Sequence, residues 1–454
     1  MRVDRIHLRD VGPFDDVTID FPPGKDPDLA DVYLLTGPNG SGKSTVLYAI
    51  AAAIIDGQGK LGRDLVGARL RARNSLVGLS MGETYFAVAK TDAADDASWT
   101  DPRGNRLLHT SSRGDGVRYF TNAGYSRRVN RIDKYADTAA LVGPNAHRDG
   151  LAFDWAAFAY AGMRSLEDVH VTAVQDPQSS PFENSLSFVQ TADTHVLASW
   201  VANQQFLRLK AKDAGRHDRA AQLEQSVTDI ERVVADIIED PTFRFVPNDD
   251  NNDIRVRWRG VDVDLGLLPD GLKSIVSWIA DLLMRLDRIP WVDNVPTTQR
   301  SFLLLLDEVD IHLHPAWQRK VLPFVQRAFP RAQIIASTHS PFVVASAADA
   351  HVITLGLQGK TAIVEGTETS QIGVSYGTVL RSIFGIESDF DVDTERAFLE
   401  FHRAKHRLLG GDATARSDLD RLAAELAGRS EEVRELIALE LGQLKRQLAQ
   451  RPAS

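Results

Sequence analysis

A short stretch near the amino terminus carries the residue types best suited to holding phosphate groups. Residues 37–45 read Gly-Pro-Asn-Gly-Ser-Gly-Lys-Ser-Thr and satisfy the phosphate-loop pattern G-x-x-x-x-G-K-[ST] in full. Glycines let the backbone wrap closely around an anion, and the unpaired N–H groups at the start of the following helix point at the same place. We expect Lys43 to reach the β- and γ-phosphates and the Ser44 hydroxyl to bind Mg²⁺. The nucleotide-binding residues predicted in this loop are Asn39, Gly40, Ser41, Gly42, Lys43, Ser44 and Thr45.

Two adjacent carboxylates follow an apolar run late in the chain. Residues 302–306 are Phe-Leu-Leu-Leu-Leu and lead directly into Asp307 and Glu308. A central parallel strand of this composition delivers both carboxylates at the carboxyl edge of its sheet, where ligands bind. We therefore expect Asp307 to hold Mg²⁺ and Glu308 to orient or polarise the water that attacks a γ-phosphate. The alternative is a solvated loop that happens to begin with two acidic residues.

The elements that must position these groups can also be read from the pattern. Residues 31–36 predict a buried strand before the glycine loop, and residues 46–55 predict an apolar helix after it. Further strands are predicted at residues 3–8, 17–21, 84–90, 116–120, 254–258, 261–265, 333–338, 352–355 and 361–364. Residues 192–238 have almost no glycine or proline and show helical spacing of apolar residues. The sequence thus predicts an α/β fold with an antiparallel β-subdomain and a helical lobe inserted between the loop and the acidic pair.

Composition and charge exclude several classes of protein. The chain has 43% hydrophobic and 25% charged residues, which is ordinary for a globular protein, and a net charge of −10 argues against nucleic-acid binding by the whole surface. It has no cysteine, which excludes disulfides, thiolate-bound metals and thiol nucleophiles. Without a signal peptide or a run of about 18 apolar residues, we expect a cytoplasmic location.

Two basic clusters could be solvated faces or phosphate-backbone patches: Lys60, Arg63, Arg69, Arg71 and Arg73, and Arg127, Arg128, Arg131 and Lys134.

Three segments together resemble the ABC-type ATPases of the RecF, SMC and OLD group. They are the loop at 37–45, Leu-Asp-Glu-Val-Asp-Ile-His-Leu-His-Pro at 306–315, and Ser-Thr-His-Ser-Pro at 337–341. The resemblance covers residues 1–370 and implies a P-loop NTPase fold of the ABC-ATPase type with ATP and Mg²⁺ as ligands. It also implies catalytic roles for Lys43, Glu308 and His339, with His339 as the switch histidine that contacts the γ-phosphate.

The resemblance divides the chain into four parts. Residues 1–150 would form the first part of the ATPase core, and residues 151–246 a compact helical lobe. Residues 247–370 would form the second part of the core, and residues 371–454 a helical C-terminal tail. The apolar stripe of the last segment is typical of a docked helix or of a contact between identical chains.

The resemblance further implies that subunits associate through their ATP sites, with a turn at 268–273 of one subunit covering ATP on another. Here Pro269 and Asp270 precede Gly271, so the serine of the family's signature is absent. The amides of Gly271 and Leu272 could replace it, as could Lys273 or Ser274, and the bound residues predicted in this turn are Gly271 and Lys273. The alternative is a simple capping turn with Asp270 as the helix N-cap. The Q-loop candidates are Gln175 and Gln190.

Two other groupings could indicate metals. His312 and His314 have the spacing of a metal pair, but the loop after the acidic pair accounts for them. Residues 363–366 resemble the start of the TOPRIM nuclease domain that follows the ATPase in OLD proteins. The required Asp-x-Asp is matched only at 389–393, which comes too soon and follows no apolar strand. We therefore do not expect a built-in nuclease.

The short helical lobe and the tail look most like stand-alone ATPase subunits of bacterial anti-phage modules. The families concerned are PtuA, of Septu and retron-linked systems, and AriA, of the PARIS pair. We therefore expect ATP hydrolysis to serve as a conformational switch in a homo-oligomer, at least a dimer, that controls a separate effector protein, a nuclease or toxin. The main alternative is a RecF-like repair or replication ATPase that binds DNA through its basic clusters. A transporter ATPase subunit and a non-hydrolysing nucleotide sensor are further alternatives.

Overall fold

The computed structural model describes residues 1–55, 69–91, 99–112, 116–122, 152–162, 177, 179–188, 191–248, 253–370, 373–386 and 389–449. The chain divides into two compact units, Met1–Val379 and Leu380–Ser454. Several predicted residues lie outside the described ranges. These are Lys60, Arg63, the whole second basic cluster, and both Q-loop candidates, Gln175 and Gln190.

The strands are β1 (Arg5–Val11), β2 (Phe14–Asp20), β3 (Asp31–Thr36), β4 (Leu76–Met81), β5 (Thr84–Lys90), β6 (Leu108–Ser112), β7 (Val117–Thr121), β8 (Ala156–Tyr160), β9 (Arg244–Pro247), β10 (Ile254–Trp258), β11 (Val261–Asp264), β12 (Phe302–Leu306), β13 (Ala332–Ser337), β14 (His351–Gln358) and β15 (Thr361–Thr369). The helices are α1 (Lys43–Ile55), α2 (Thr194–Asp213), α3 (His217–Ile238), α4 (Asp270–Arg288), α5 (Pro315–Ala328), α6 (Pro341–Ser346), α7 (Tyr376–Ser382), α8 (Val392–Leu409), α9 (Ala415–Ala427) and α10 (Glu431–Ala449). This arrangement confirms the predicted α/β fold of the P-loop NTPase type.

A six-stranded sheet in the order β15-β14-β3-β13-β12-β8 forms the centre of the first unit. Its strands are parallel except β15, which pairs antiparallel with β14. Every residue of β12 and β13 is buried, as expected where both faces of a parallel sheet are covered. The register aligns Leu306 with Ala336, and Ala336 with Leu34. Because the strands run in the same direction, the residues that follow β3, β12 and β13 all emerge at one edge.

Two antiparallel sheets accompany the central one. The first has the order β2-β1-β4-β5-β7-β6 and is the predicted β-subdomain, and the second consists of β9, β10 and β11. The sequence predicts the opening hairpin and β5, and it predicts the hairpin of β10 and β11 from the alternation of apolar and polar residues. The closing hairpin is also as predicted. Glu365 lies within β15 of that hairpin, and the expectation that the chain has no built-in nuclease stays a prediction.

The predicted helical lobe at 151–246 begins differently in the structure. Its first segment contains β8, which pairs with β12 in the central sheet, and the first helix among the described residues of this segment begins at Thr194. Asp193 caps α2 by accepting hydrogen bonds from two amides of the first turn. The predicted 192–238 helix is interrupted at Gly215, whose φ of +69° lies in the left-handed region, and it resumes as α3.

A buried ion pair links α4 to the segment before α2. Arg285 Nε donates to Asp281 Oδ2 at 2.7 Å, and Tyr160 of β8 donates its hydroxyl to the same oxygen at 2.8 Å. The side chains of Arg285 and Asp281 are 5% and 1% exposed. The guanidinium also donates to the carbonyl oxygens of Pro181, Glu183 and Thr191. Arg285 therefore holds Pro181, Glu183 and Thr191 against α4.

The second unit contains α8, α9 and α10, packed around Phe401, Leu419 and Leu426. The predicted stripe of α10 lies in this core, with Val433, Ile437 and Leu444 buried and Leu441 and Leu448 partly buried. The stripe is therefore that of a docked helix. Asp391, from the Asp-x-Asp considered above, is the N-cap of α8 and accepts from the amides of Asp393 and Thr394.

In the described part of the chain, no helix combines the length and apolar character that a membrane span requires.

Replacing Arg285 with alanine should lower the free energy of unfolding by about 3–5 kcal/mol, because Asp281 would remain buried without its cation. Urea unfolding followed by tryptophan fluorescence tests this, since all seven tryptophans lie in Met1–Val379. The matched control is Arg232→Ala, which removes an exposed i,i+3 pair with Asp229. It should cost about 0.2–1 kcal/mol. Equal losses in the two variants would contradict the role given to Arg285.

Candidate functional site

The glycine loop and the acidic pair meet at the carboxyl edge of the central sheet. Ser44 Oγ donates to Asp307 Oδ1 at 2.9 Å, although the two residues are 263 positions apart in the sequence. The parallel register explains the meeting, because β3 leads into the loop and the neighbouring β12 and β13 end at the same level. Ligands of such sheets bind at this edge. The structure therefore brings together the residues predicted to hold phosphate and those predicted to hold Mg²⁺.

Two glycines of the loop have no room for a side chain. A Cβ on Gly37, whose φ is +132°, would lie 2.0 Å from the carbonyl oxygen of Leu355. A Cβ on Gly42, whose φ is +94°, would lie 2.5 Å from the ring of Phe14. Only glycine adopts these conformations without strain. The loop is therefore tied to β14 on one side and to the β1–β2 hairpin on the other.

Lys43 holds the loop in shape. Its Nζ donates to the carbonyl oxygens of Gly37 at 2.8 Å and Pro38 at 3.0 Å. Burial lowers the pKa of Lys43, while the carboxylates of Asp307, Glu308 and Asp310 act in the opposite direction. The ammonium therefore lies beside the acidic residues and within the loop.

The residues of the loop fit a phosphate group. The Ser41 hydroxyl is fully buried and has no hydrogen-bond partner among the described residues. No atom of those residues lies within 4 Å of the position that a Cβ on Gly40 would take. Asn39 is exposed beside it, and Thr45 is buried against Gly12. An anion at this helix start would find unpaired N–H donors and the positive end of the helix dipole.

The pair Ser44 and Asp307 fits a magnesium ion. Adjacent ligands of an octahedral Mg²⁺, each about 2.0–2.1 Å from the ion, lie roughly 2.9 Å apart. Ser44 Oγ and Asp307 Oδ1 have this separation. A hydroxyl and a carboxylate are oxygen ligands of the kind that Mg²⁺ prefers. Mg²⁺ could therefore take both oxygens with little movement of either element.

A hydroxyl group that the sequence analysis did not identify also lies at Asp307. Ser337 Oγ donates to Asp307 Oδ1 at 2.6 Å and accepts the amide of Glu308 at 2.7 Å. The only sequence signal for Ser337 was its position at the end of a predicted strand. Burial, followed by the negative charge of Asp307, raises the pKa of Tyr48 to about 12.

Glu308 sits at a strained and crowded position. Its φ is +51°, the left-handed region that non-glycine residues rarely adopt. A Cβ on Gly162 would lie 2.7 Å from Glu308 Cβ, so only glycine fits beside it. The strained backbone lies immediately after Asp307, where the chain leaves β12. Such strain is common at sites where one side chain must be aimed.

The loop after Glu308 is braced by its own hydrogen bonds. Asp310 Oδ1 accepts from Thr338 Oγ1 at 2.6 Å and from the amide of His339 at 3.3 Å. Gln318 donates to the carbonyl oxygens of Asp310 and Leu313 and accepts from Ser340 Oγ. The acidic pair and the predicted switch histidine are thereby fixed relative to each other.

His312 and His314 lie in the loop after Glu308. Both are exposed, and His314 Nδ1 accepts the amide of Ala316 at 3.2 Å as the N-cap of α5. No cluster of three or more metal-binding side chains occurs among the residues with described positions. The two histidines are therefore explained by loop and cap geometry.

The predicted signature turn packs on its own chain. Asp270 is the first residue of α4 and Pro269 is the N-cap without a side-chain cap, so the hypothesis of an Asp270 cap is wrong. A Cβ on Gly271 would lie 2.7 Å from the carbonyl oxygen of His312 and 3.0 Å from the ring of Trp317. Lys273 Nζ lies 3.9 Å from Asp270. These contacts join the turn to the loop after Glu308, and binding of a second subunit's ATP by Gly271 and Lys273 stays a prediction.

Two family models match the chain. Residues 154–345 match the model described as "AAA domain, putative AbiEii toxin, Type IV TA system", and residues 5–112 match a model described as "AAA domain". The second match includes the glycine loop, and the first includes the acidic pair and His339. The chain therefore carries AAA-family ATPase domain sequence, as its motifs predict.

Curated relatives include a Septu protein and a retron ATPase. The chain is 30% identical to the Septu protein PtuA of Bacillus thuringiensis over 173 residues, 37% of this chain and 44% of that protein. It is 33% identical to the Retron Ec83 probable ATPase of Escherichia coli over 113 residues, 23% of this chain and 21% of that protein. The chain is homologous to both, and the matched regions span less than half the length of these relatives.

Solved structures of similar fold include heads of SMC proteins. An SMC head bound to the C-winged helix domain of ScpA matches with a TM-score of 0.45 and 14% identity, covering 81% of this chain and 98% of that chain. The SMC head domain from Thermotoga maritima matches with a TM-score of 0.40 and 17% identity, covering 82% of this chain and 100% of that chain. Similarity at this level concerns the fold alone.

The pKa of His339 should lie below the ordinary value of 6.5, because partial burial and the neighbouring positive charge of Lys43 both disfavour the imidazolium. The ring should then be neutral at pH 7. An NMR titration of ¹³C-labelled histidine measures this, with the signal assigned by its loss in His339→Gln. In Lys43→Ala the titration midpoint should move upward. A midpoint at or above 6.5 would contradict the lowered pKa of His339. An unchanged midpoint in Lys43→Ala would contradict the contribution of Lys43 to that pKa.

Proposed function

We propose that the protein binds Mg·ATP between the glycine loop and the acidic pair and hydrolyses it to ADP and phosphate. The observation that supports this most directly is the 2.9 Å contact between Ser44 and Asp307. The loop residues fit phosphate, and the two oxygens fit Mg²⁺. Homology to Septu PtuA and to the retron ATPases supports the same proposal. When bound, Mg²⁺ would offset the negative charge of the phosphates.

Each predicted residue then has a distinct task. The amides of the loop and the start of α1 would bind the phosphates, and Lys43 would leave its carbonyl partners to reach them. Ser44 and Asp307 would hold the cation. Glu308 would orient the attacking water and accept its proton, and the strained backbone at this residue sets the direction of its side chain. His339 would contact the γ-phosphate and so distinguish ATP from ADP.

The proposal extends to assembly. The turn at 268–273 would cover ATP bound on a second copy of the chain, so that hydrolysis would require association. Lys273 is the only cation of this turn, and its pair with Asp270 is long at 3.9 Å, so its ammonium could exchange that partner for a phosphate oxygen. Gly271, in contrast, would act by allowing α4 to pack closely on the loop after Glu308.

We place this ATPase in an anti-phage defence complex in which nucleotide state controls a separate effector protein, a nuclease or toxin. Homology to proteins named Septu PtuA and retron ATPase supports this assignment. The RecF-like alternative requires free basic groups on the surface. In the described part of the first basic cluster, Arg71 lies 2.6 Å from Asp15 and 3.7 Å from Asp10, so its charge is locally offset. That pairing favours the effector-controlling function over direct DNA binding.

Replacing Glu308 with glutamine should lower the rate of hydrolysis by about 100-fold or more while ATP still binds, because only the water-orienting carboxylate is lost. Phosphate release measures turnover, and a fluorescent ATP analogue measures binding. Light scattering should show that the ATP-bound assembly of two or more copies of the chain accumulates. The paired control is Lys43→Ala, which should abolish ATP binding itself. Unchanged turnover in Glu308→Gln, or tight binding in Lys43→Ala, would overturn the assigned roles.

Mixing two inactive variants tests the composite site. A dimer of one Lys43→Ala chain and one Lys273→Ala chain contains one site with an intact loop and an intact covering turn. Hydrolysis should therefore recover in the mixture above the sum of the separate variants. Lys320→Ala serves as a control, since Lys320 pairs with Glu239 in the helical lobe and should leave activity unchanged. Absence of recovery would argue against action of Lys273 across subunits.

A further inference from the structure

We propose that Ser337 is a positioning residue for both members of the acidic pair, and that its hydroxyl sets the affinity for Mg²⁺ and the direction of the Glu308 side chain. This inference rests on the proposed function, because it concerns the same metal-binding and water-orienting groups. Ser337 is the last residue of β13 and is fully buried. Its hydroxyl oxygen lies 2.6 Å from Asp307 Oδ1 and 2.7 Å from the amide nitrogen of Glu308.

The direction of both hydrogen bonds follows from the groups involved. The amide of Glu308 can only donate, so Ser337 Oγ accepts from it. The one hydroxyl hydrogen is then left for Asp307 Oδ1, since a carboxylate oxygen only accepts. The carbonyl oxygen of Ser337 also accepts the amide of Val309 at 3.1 Å. One residue of β13 therefore holds the three consecutive residues that follow β12.

The contact with Asp307 is compatible with a bound metal ion. Asp307 Oδ1 accepts from Ser44 as well as from Ser337, and a carboxylate oxygen has two lone pairs. When Ser44 turns to the ion, one lone pair of Oδ1 becomes available for it, and Ser337 keeps the other. The Asp307 side chain is almost fully buried, and a buried carboxylate requires hydrogen bonds to offset the loss of water. Ser337 would therefore orient this carboxylate in the metal-bound state.

The contact with Glu308 supports a strained backbone. A non-glycine residue keeps a φ of +51° only where the surrounding structure enforces it. The amide of Glu308 donates to the Ser337 side chain, which ties this residue to the end of β13. Without that acceptor, the backbone would relax toward an ordinary φ, and the Glu308 carboxylate would change direction. Loss of one hydroxyl should therefore affect metal binding and hydrolysis separately.

The test compares Ser337→Ala with the unaltered chain. Mn²⁺ replaces Mg²⁺ as a paramagnetic probe, and its dissociation constant is measured by electron paramagnetic resonance in the presence of a non-hydrolysable ATP analogue. We expect that constant to rise about 10-fold, because partners that orient a coordinating carboxylate typically contribute a factor of about 10–100. At saturating Mg²⁺, kcat should also fall about 10-fold, because Glu308 stays misplaced when the metal site is full. Affinity for a fluorescent ATP analogue in EDTA should not change.

The matched control is Ser75→Ala. Ser75 is also fully buried, and its hydroxyl accepts the amide of Ala72 at 2.9 Å and donates to the carbonyl oxygen of the same residue at 2.8 Å. It lies just before β4, in the β-subdomain. Both variants lose one accepted and one donated hydrogen bond, so urea unfolding in EDTA should show similar losses of stability. The Mn²⁺ affinity and kcat of Ser75→Ala should equal those of the unaltered chain.

Unchanged Mn²⁺ affinity or unchanged kcat in Ser337→Ala would overturn the inference that one hydroxyl positions both residues. Equal losses in Ser75→Ala would indicate a general effect of lower stability and would also overturn it. If Ser337→Ala does not fold, Ser337→Cys gives the same comparison, because a thiol has a similar shape but is a weak hydrogen-bond donor and acceptor. Failure of the unaltered chain to bind nucleotide would instead overturn the proposed function.

Discussion

The common level at which parallel strands β3, β12 and β13 end is the constraint on which the site depends. Leu306, Ala336 and Leu34 share one row of the sheet, so the chain leaves all three strands at the same edge. A slip of one residue would turn the apolar side chains of a strand toward the opposite face. Both faces of β12 and β13 are buried, so such a slip would displace closely packed side chains on both faces. Packing energy in the core therefore fixes distances between polar groups that make few contacts of their own.

Asp307 illustrates how the core tolerates a charge. Its carboxylate lies at the end of an apolar strand and is surrounded by hydroxyl groups instead of water. Hydroxyl donors can turn toward a cation or away from it at little cost, whereas a permanent cationic partner would compete with the metal. Lys43, a neighbouring cation, is held by carbonyl oxygens of the loop. The charge and geometry at Asp307 are consistent with a carboxylate that exchanges hydroxyl donors for a metal ion.

Local and tertiary features of the site differ in how well the sequence predicts them. The glycine loop and the acidic pair were predictable because each is contiguous and lies beside an apolar strand. Ser337 was missed because its contact with Asp307 depends on how β13 packs against β12. The segment with β8 was assigned to the helical lobe, since a short apolar run does not distinguish strand from helix without its partners. The capping hypothesis for Asp270 was wrong because Pro269 has an extended ψ of 143° and the helix begins one residue earlier than that hypothesis required.

The hydrogen bonds of Lys43 to Gly37 and Pro38 mean that the loop is closed by its own side chain. A ligand arriving there would exchange two contacts for others and would not have to order a segment of backbone. The loss of chain entropy on association would accordingly be small. Calorimetry of nucleotide association should then show a favourable enthalpy without the large opposing entropy that accompanies coupled folding.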